Sequence, residues 1–113
     1  MINYLELPAQ HLAATKTFFE TVFNWQFTDF GPDYTAFSQE QAGMNGGFYR
    51  ANLASTTKNG AALIVFYNTD LLSIGQKIEQ AGGIIVQPIF DFPGGKRFHF
   101  TEPSGNEFAV WSE

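Results

Sequence analysis

The sequence predicts an α+β domain built from two βαβββ modules. Three observations carry this reading. Helical and strand periodicities alternate in the order strand, helix, strand, strand, strand, and that order is written twice. Residues 30–49 (FGPDYTAFSQEQAGMNGGFY) lie without a gap on residues 92–111 (FPGGKRFHFTEPSGNEFAVW) at an offset of 62, pairing Phe30 with Phe92, Glu40 with Glu102, Gly43 with Gly105 and Tyr49 with Trp111. Neither half, at about fifty residues, can bury both a helix face and a sheet face alone, so the two modules must share one core.

Taken in order, Ile2 to Leu7 alternates between two faces and stops at Pro8, as a strand would. From His11 to Phe23 the period becomes helical, with Leu12, Phe18, Phe19, Val22 and Phe23 placed to pack on a sheet. Trp25 to Phe30, Tyr34 to Ser38 and Gly46 to Arg50 are short aromatic-rich runs, broken by Gly31-Pro32-Asp33 and by the polar stretch Gln39 to Asn45, and read as three strands. Ala51 to Gly60 is the least apolar decapeptide and reads as a linker. The first module is therefore about 1–50, the linker about 51–60 and the second module about 61–113, within a single domain. Ala61 to Tyr67 is a strand; Asp70 caps a helix to about Ala81 with Leu71, Ile74 and Ile78 on one face, and Gly82-Gly83 ends it. Ile84 to Gln87, Lys96 to Thr101 and Asn106 to Trp111 complete the chain as strands.

Composition narrows the function. The 113 residues are 44% apolar and include 13 Phe, enough ring surface for a sizeable core or an aromatic-lined cavity. With no Cys there is no disulfide framework, thiolate metal site or Cys nucleophile, and a cytoplasmic location is expected. A net charge of −5 without any Lys/Arg run argues against nucleic acid and anionic membranes as partners. No apolar run approaches a membrane span or a signal peptide, so a soluble and complete chain is expected. None of the five serines stands in a nucleophile setting, and hydrolase chemistry is not predicted.

The run Phe18-Phe19-Glu20-Thr21-Val22-Phe23-Asn24-Trp25 and the turn Glu102-Pro103-Ser104-Gly105-Asn106 resemble the FY..V.GW and DPDGN-like motifs of the glyoxalase/bleomycin-resistance/dioxygenase superfamily, the vicinal oxygen chelate proteins. The resemblance covers both modules. It implies curved mixed sheets that enclose a cavity, usually in a homodimer, and a divalent metal held by four cavity-facing positions on the first and last strand of each module. Carried over, those positions are Tyr4, Gly47, Ala61 and Ala109. Gly and Ala supply no donor and a neutral phenol is a poor one, so no metal and no other cofactor is predicted.

With Tyr4 and Ala109 turned inward by the resemblance, alternation turns Glu6, Glu107 and Trp111 inward too. In related resistance enzymes the position matching His99 lies beside the substrate; Arg97, His99 and Thr101 then face the cavity, Phe98 and Phe100 the core, and Phe37 and Tyr49 are the first module's equivalents. The candidate ligand-binding residues are thus Tyr4, Phe37, Tyr49, Arg97 and Trp111, and the candidate catalytic residues His99, Glu6 and Glu107. Each has a plainer reading: the glutamates can be solvated strand ends, the imidazole can satisfy a carbonyl, and Arg97 can be a loop-end charge beside Gly94-Gly95 and Lys96. Asn106 is expected to stabilise its turn. Two functions remain open. One is a glyoxalase-like protein that binds a small molecule in an aromatic cavity; the other is a lyase or isomerase acting on a small carbonyl compound by acid–base catalysis, with a metal displaced onto His99, Glu6 and Glu107.

Overall fold

A computed structural model describes residues 1–113 as two four-stranded mixed sheets with helices on one side. The first module runs β1 (Tyr4–Ala9), α1 (Leu12–Phe23), β2 (Phe27–Asp29), β3 (Tyr34–Phe37), a one-turn helix α2 (Gln39–Ala42) and β4 (Asn45–Arg50). After a 3-10 turn at Thr57–Asn59 the second runs β5 (Ile64–Tyr67), α3 (Leu71–Gln80), β6 (Ile84–Phe92), β7 (Gly95–Thr101) and β8 (Glu107–Ser112). The sheets have the orders β1-β4-β3-β2 and β5-β8-β7-β6, and in each the module's first and last strands are parallel neighbours. This is the doubled βαβββ α+β fold the sequence predicts. No helix is long and apolar enough to cross a membrane.

One side chain holds both sheets to α1. The helical stripe Leu12, Phe18, Phe19 and Val22 is buried. The Phe19 ring stacks on Trp25 at 4.6 Å and on Phe48 of β4 at 5.5 Å, and meets Phe108 of β8 edge-on at 5.4 Å. Asn24 makes the stack with Trp25 possible: it adopts a left-handed φ of 59°, a conformation Asn tolerates, and so ends α1 and folds Trp25 back over it. Asp70 caps α3 as expected, accepting from the Ser73 N–H at 3.0 Å.

The modules are joined by polar groups as well as rings. Glu102, only 2% exposed, accepts from Thr15 Oγ1 of α1 at 2.5 Å and from the backbone N–H groups of Ser104 and Asn106. Ser104 Oγ accepts from the His11 N–H, capping α1 from the other module. Asn106, fully buried, donates to the Pro8 carbonyl at 2.7 Å and accepts from the Ser55 N–H at 2.8 Å. The Glu102–Asn106 turn is therefore a staple between β1, α1 and the linker, a larger role than stabilising its own loop.

Three expectations are corrected. β1 continues through Pro8, which β1 tolerates because it is an outer strand, where a missing N–H leaves no second neighbour short. β6 does not stop at Gln87 but runs on through Pro88 to Phe92, its register to β7 shifting on either side of Gln87. Phe37 does not face the cavity. It is 5% exposed on the helix side, 4.6 Å from Trp25, and its ring lies across Gly46, where any Cβ would collide with it. The bare Gly46 backbone gives this ring its place in the core, and β3 is phased accordingly, with Thr35 and Phe37 inside and Tyr34 and Ala36 on the opposite face.

Leu5 and Leu7 of β1 and Ile64 and Phe66 of β5 line one wholly apolar pocket of about 230 Å³ on the helix side. β1 and β5 are the outer strands of their respective sheets, and both contribute to this pocket.

Candidate functional site

On the second sheet, strict alternation along β7 and β8 sends Phe98, Phe100, Phe108 and Val110 into the core and leaves Arg97, His99, Thr101, Glu107 and Trp111 on the open face. Arg97 is paired across the strands with Trp111, and His99 with Ala109, whose methyl group leaves room for the imidazole to reach diagonally to Glu107. His99 Nδ1 lies 2.8 Å from Glu107 Oε2. The other oxygen, Oε1, accepts from the backbone N–H of Thr57 at 2.8 Å and from its hydroxyl at 2.9 Å, so the 3-10 turn of the linker fixes the carboxylate.

Burial raises the affinity of Glu107 for its proton, but the hydrogen bonds from His99 and Thr57 outweigh it and hold the carboxyl below the ordinary range. An ionised carboxylate only accepts, so Nδ1 carries the hydrogen of this bond, and in the tautomer that this selects for the neutral ring Nε2 has the lone pair. That Nε2 is buried without a partner. Beside it, the Arg97 guanidinium lies between the rings of Phe90 and Phe92, at 5.2 and 5.1 Å, and its Nε is also buried and unpartnered. Phe90 also stands 5.7 Å from the His99 ring, while Trp111 meets Phe92 and Tyr67 edge-on.

The open face of the first sheet carries a different set. Glu6, Gly47 and Ala36 lie side by side across β1, β4 and β3, and Tyr34 stands opposite Tyr49. Tyr34 donates to Glu6 Oε2 at 2.9 Å, and the Tyr4 and Tyr34 hydroxyls are 2.7 Å apart. The Tyr34 phenol occupies the space that a side chain at Gly47 would fill.

Of the sequence-predicted residues, His99, Glu107, Arg97 and Trp111 come together on one face, Tyr4, Glu6 and Tyr49 on the other, and Phe37 on neither. The walls expected of an aromatic cavity are present as two open faces; five pockets of about 230 to 530 Å³ elsewhere on the chain take in none of His99, Arg97, Trp111, Tyr4 and Glu6. Gly94 sits in the tight β6–β7 turn, and Lys96 is paired with Asp91 at 2.7 Å, so these residues form a hairpin end rather than a phosphate cradle. Sequence reasoning missed Tyr34, Phe90 and Phe92. The two consecutive glycines inside β4 were the available signal for Tyr34, since a strand glycine marks the close approach of another group.

The divalent metal that the fold implies does not fit these residues. Of its four positions, Gly47 and Ala109 have no donor and Tyr4 is hydrogen-bonded to a second phenol; Ala61 lies before β5 rather than on it, and the β5 residue opposite Ala109 is Val65, which has no donor either. A displaced site on His99, Glu6 and Glu107 is contradicted as well: Glu6 is on the other sheet, and nowhere do three His, Asp or Glu side chains converge.

The model of the Glyoxalase/Bleomycin resistance protein/Dioxygenase superfamily matches residues 1–110. Among solved structures, a glyoxalase-related enzyme from Fulvimarina pelagi superposes with a TM-score of 0.77 at 13% identity, covering 97% of this chain and 86% of that one. A mutant of the fosfomycin resistance protein FosX from Listeria monocytogenes, complexed with Mn(II) and 1S,2S-dihydroxypropylphosphonic acid, gives 0.78 at 16% identity, with 97% and 87% covered. A lactoylglutathione lyase from Agrobacterium tumefaciens gives 0.70 at 17%, with 97% and 91% covered. No curated protein sequence matches the chain. Identities this low carry the fold alone, but the family model spans almost every residue, and the chain belongs to the glyoxalase/bleomycin-resistance/dioxygenase superfamily.

Proposed function

We propose that this protein binds a small organic acid on the open face of its second sheet without the family's metal. The observation that carries the reading is the buried, unpartnered Nε–H of Arg97, set among Phe90, Phe92 and Trp111. A buried polar group without a partner costs about 1–3 kcal/mol, which a ligand that hydrogen-bonds to it returns as affinity. Arg97 is the cation of this face and Glu107 is committed to His99 and Thr57, so an anionic group belongs at Arg97 and an aromatic or apolar body against the rings. Exposed Val65 and Tyr67 on β5, together with the open face beside them, support a homodimer in which a second copy closes the cavity. Light scattering should then return about twice the 12.6 kDa chain mass, and a monomer at tens of micromolar would count against it.

The test is a titration with benzoate against its neutral counterpart benzamide, followed by tryptophan fluorescence and amide chemical shifts. Benzoate should bind and perturb Trp111, and Arg97→Gln should weaken it at least about tenfold. Equal binding of both compounds, or of neither, would remove the reading.

A second reading, proton transfer next to a carbonyl, is favoured by the Nδ1 to Glu107 hydrogen bond, which is how a general base is held in one tautomer. His99 Nε2 would take the proton and Glu107 would stabilise the imidazolium formed. Exchange of the pyruvate methyl hydrogens in D2O tests it. His99→Gln should slow exchange about a hundredfold if the base is real; a protein that only sequesters its ligand should show no exchange to lose.

A further inference from the structure

We infer that the open face of the first sheet is a binding site for an organic ammonium group, built on Glu6, Tyr4 and Tyr34 in the corner where the family places metal ligands. It stands independently of the acid-binding reading, because no residue is shared. Counting hydroxyl hydrogens fixes the direction of the bonds in this corner. Glu6 accepts from Tyr34, which spends the single Tyr34 hydrogen; the Tyr4 hydroxyl, 2.7 Å away, must therefore donate to Tyr34. The chain of hydrogen bonds runs Tyr4 to Tyr34 to Glu6, and its outer end is the Tyr4 oxygen, with lone pairs and no hydrogen left to give. The second carboxylate oxygen of Glu6 has no hydrogen-bond partner in the chain, and no cation neutralises it: the ion pairs of Lys16, Arg50 and Lys96 are with Asp29, Asp33 and Asp91.

This corner therefore offers acceptors, a net negative charge and the faces of Tyr4, Tyr34 and Tyr49, of which Tyr4 is 45% and Tyr49 37% exposed. That combination suits a positively charged N–H donor, which gains charge-assisted hydrogen bonds and cation–π attraction together. It does not suit a metal ion, which needs several anionic or imidazole donors where this corner has one carboxylate. The arrangement is held in place. Gly47 is bare because the Tyr34 phenol lies across it, and Tyr34 cannot swing away without breaking its bonds to Glu6 and Tyr4.

The experiment is a titration with benzylammonium and with the neutral benzyl alcohol, read from the ring resonances of Tyr4, Tyr34 and Tyr49. Benzylammonium should give saturable shifts at these three rings, and benzyl alcohol should bind at least about tenfold more weakly. Glu6→Gln, which keeps shape and removes charge, should weaken benzylammonium to a similar degree. Tetramethylammonium, which has charge but no N–H, should bind more weakly than methylammonium. His99→Gln should leave benzylammonium binding unchanged, which separates this site from the one on the second sheet. The inference is overturned if the wild-type rings show no saturable shift, if the alcohol binds as well as the amine, or if Glu6→Gln changes nothing.

Discussion

The Nδ1 of His99 and the Oε2 of Glu107 lie 2.8 Å apart across two antiparallel strands, and the far side of the same carboxylate is gripped by Thr57 from the linker. The pair has a consequence for pH dependence. Burial works against ionised Glu107, but the His99 and Thr57 hydrogen bonds leave its folded affinity for a proton below the unfolded one. A carboxyl lowered in this way adds stability that is full above the unfolded value of about 4.3 and is lost as pH falls through the folded one. Glu107→Gln should therefore be less stable than wild type near neutrality and should lose less on acidification. Thermal midpoints of both proteins between pH 3 and 7 check this, and parallel curves would contradict it.

Glu102 should behave with the opposite sign. Its burial outweighs the hydrogen bonds from Thr15, Ser104 and Asn106 and raises its affinity for a proton above the unfolded value. Folding then binds a proton in the window above about pH 4.3, and stability falls as pH rises through it. Glu102→Gln keeps the volume and the acceptor oxygen while presenting an NH2 to Thr15, whose hydroxyl is already within 2.6 Å of Ser104 Oγ. Urea midpoints of this variant should lack that decline. A wild-type decline that persists in Glu102→Gln assigns it to another group.

Asn106→Ala removes two hydrogen bonds from a fully buried position and strands the Pro8 carbonyl and the Ser55 N–H. At about 1–3 kcal/mol for each of the two buried groups left unpaired, the loss should reach about 2–6 kcal/mol. Chemical denaturation measures it directly. A cost below about 1 kcal/mol would mean that the staple between the modules is not made in solution.

Gly47→Ala should displace the Tyr34 phenol, at a cost of about 1–3 kcal/mol. Tyr34→Ala makes the space that the added methyl group needs, so the double variant should be more stable than the two separate costs predict. The coupling from that double-mutant cycle is the readout, and strict additivity would place Tyr34 elsewhere.

Phe37 and Trp111 should separate stability from binding. Phe37→Ala empties a core position whose ring is tilted against Trp25 at 4.6 Å, and should cost about 3–5 kcal/mol. Trp111→Ala, on the open face, should leave the denaturation midpoint nearly unchanged while weakening benzoate by tenfold or more, the effect of losing an aromatic wall worth about 1–3 kcal/mol. Isothermal titration and denaturation of the two variants give the four values needed.

The doubled βαβββ order, the apolar stripe of α1 and the Asp70 cap were legible in the sequence, and the facing of β7 and β8 followed from alternation once the family resemblance had turned Ala109 inward. The reason is local: a helix with a one-sided core must repeat its apolar residues every three to four positions, and a central strand covered on one side must alternate, so that Phe98 and Phe100 inside put Arg97 and His99 outside. β3 could not be phased this way, because it ends in an aromatic residue on each face, Tyr34 on one and Phe37 on the other. The bare backbones of Gly46 and Gly47 decide which ring goes where, and they belong to a different strand. Likewise Pro88 and the register shifts around Gln87 break the period that would have extended β6 to Phe90 and Phe92. The sequence alone thus determined which residue types share a face within one strand. Only the tertiary structure decided which side chains meet across strands, Glu107 with His99, Tyr34 with Glu6 and Asn106 with Pro8, because pairing register and linker path bring together groups that are 8, 28 and 98 residues apart.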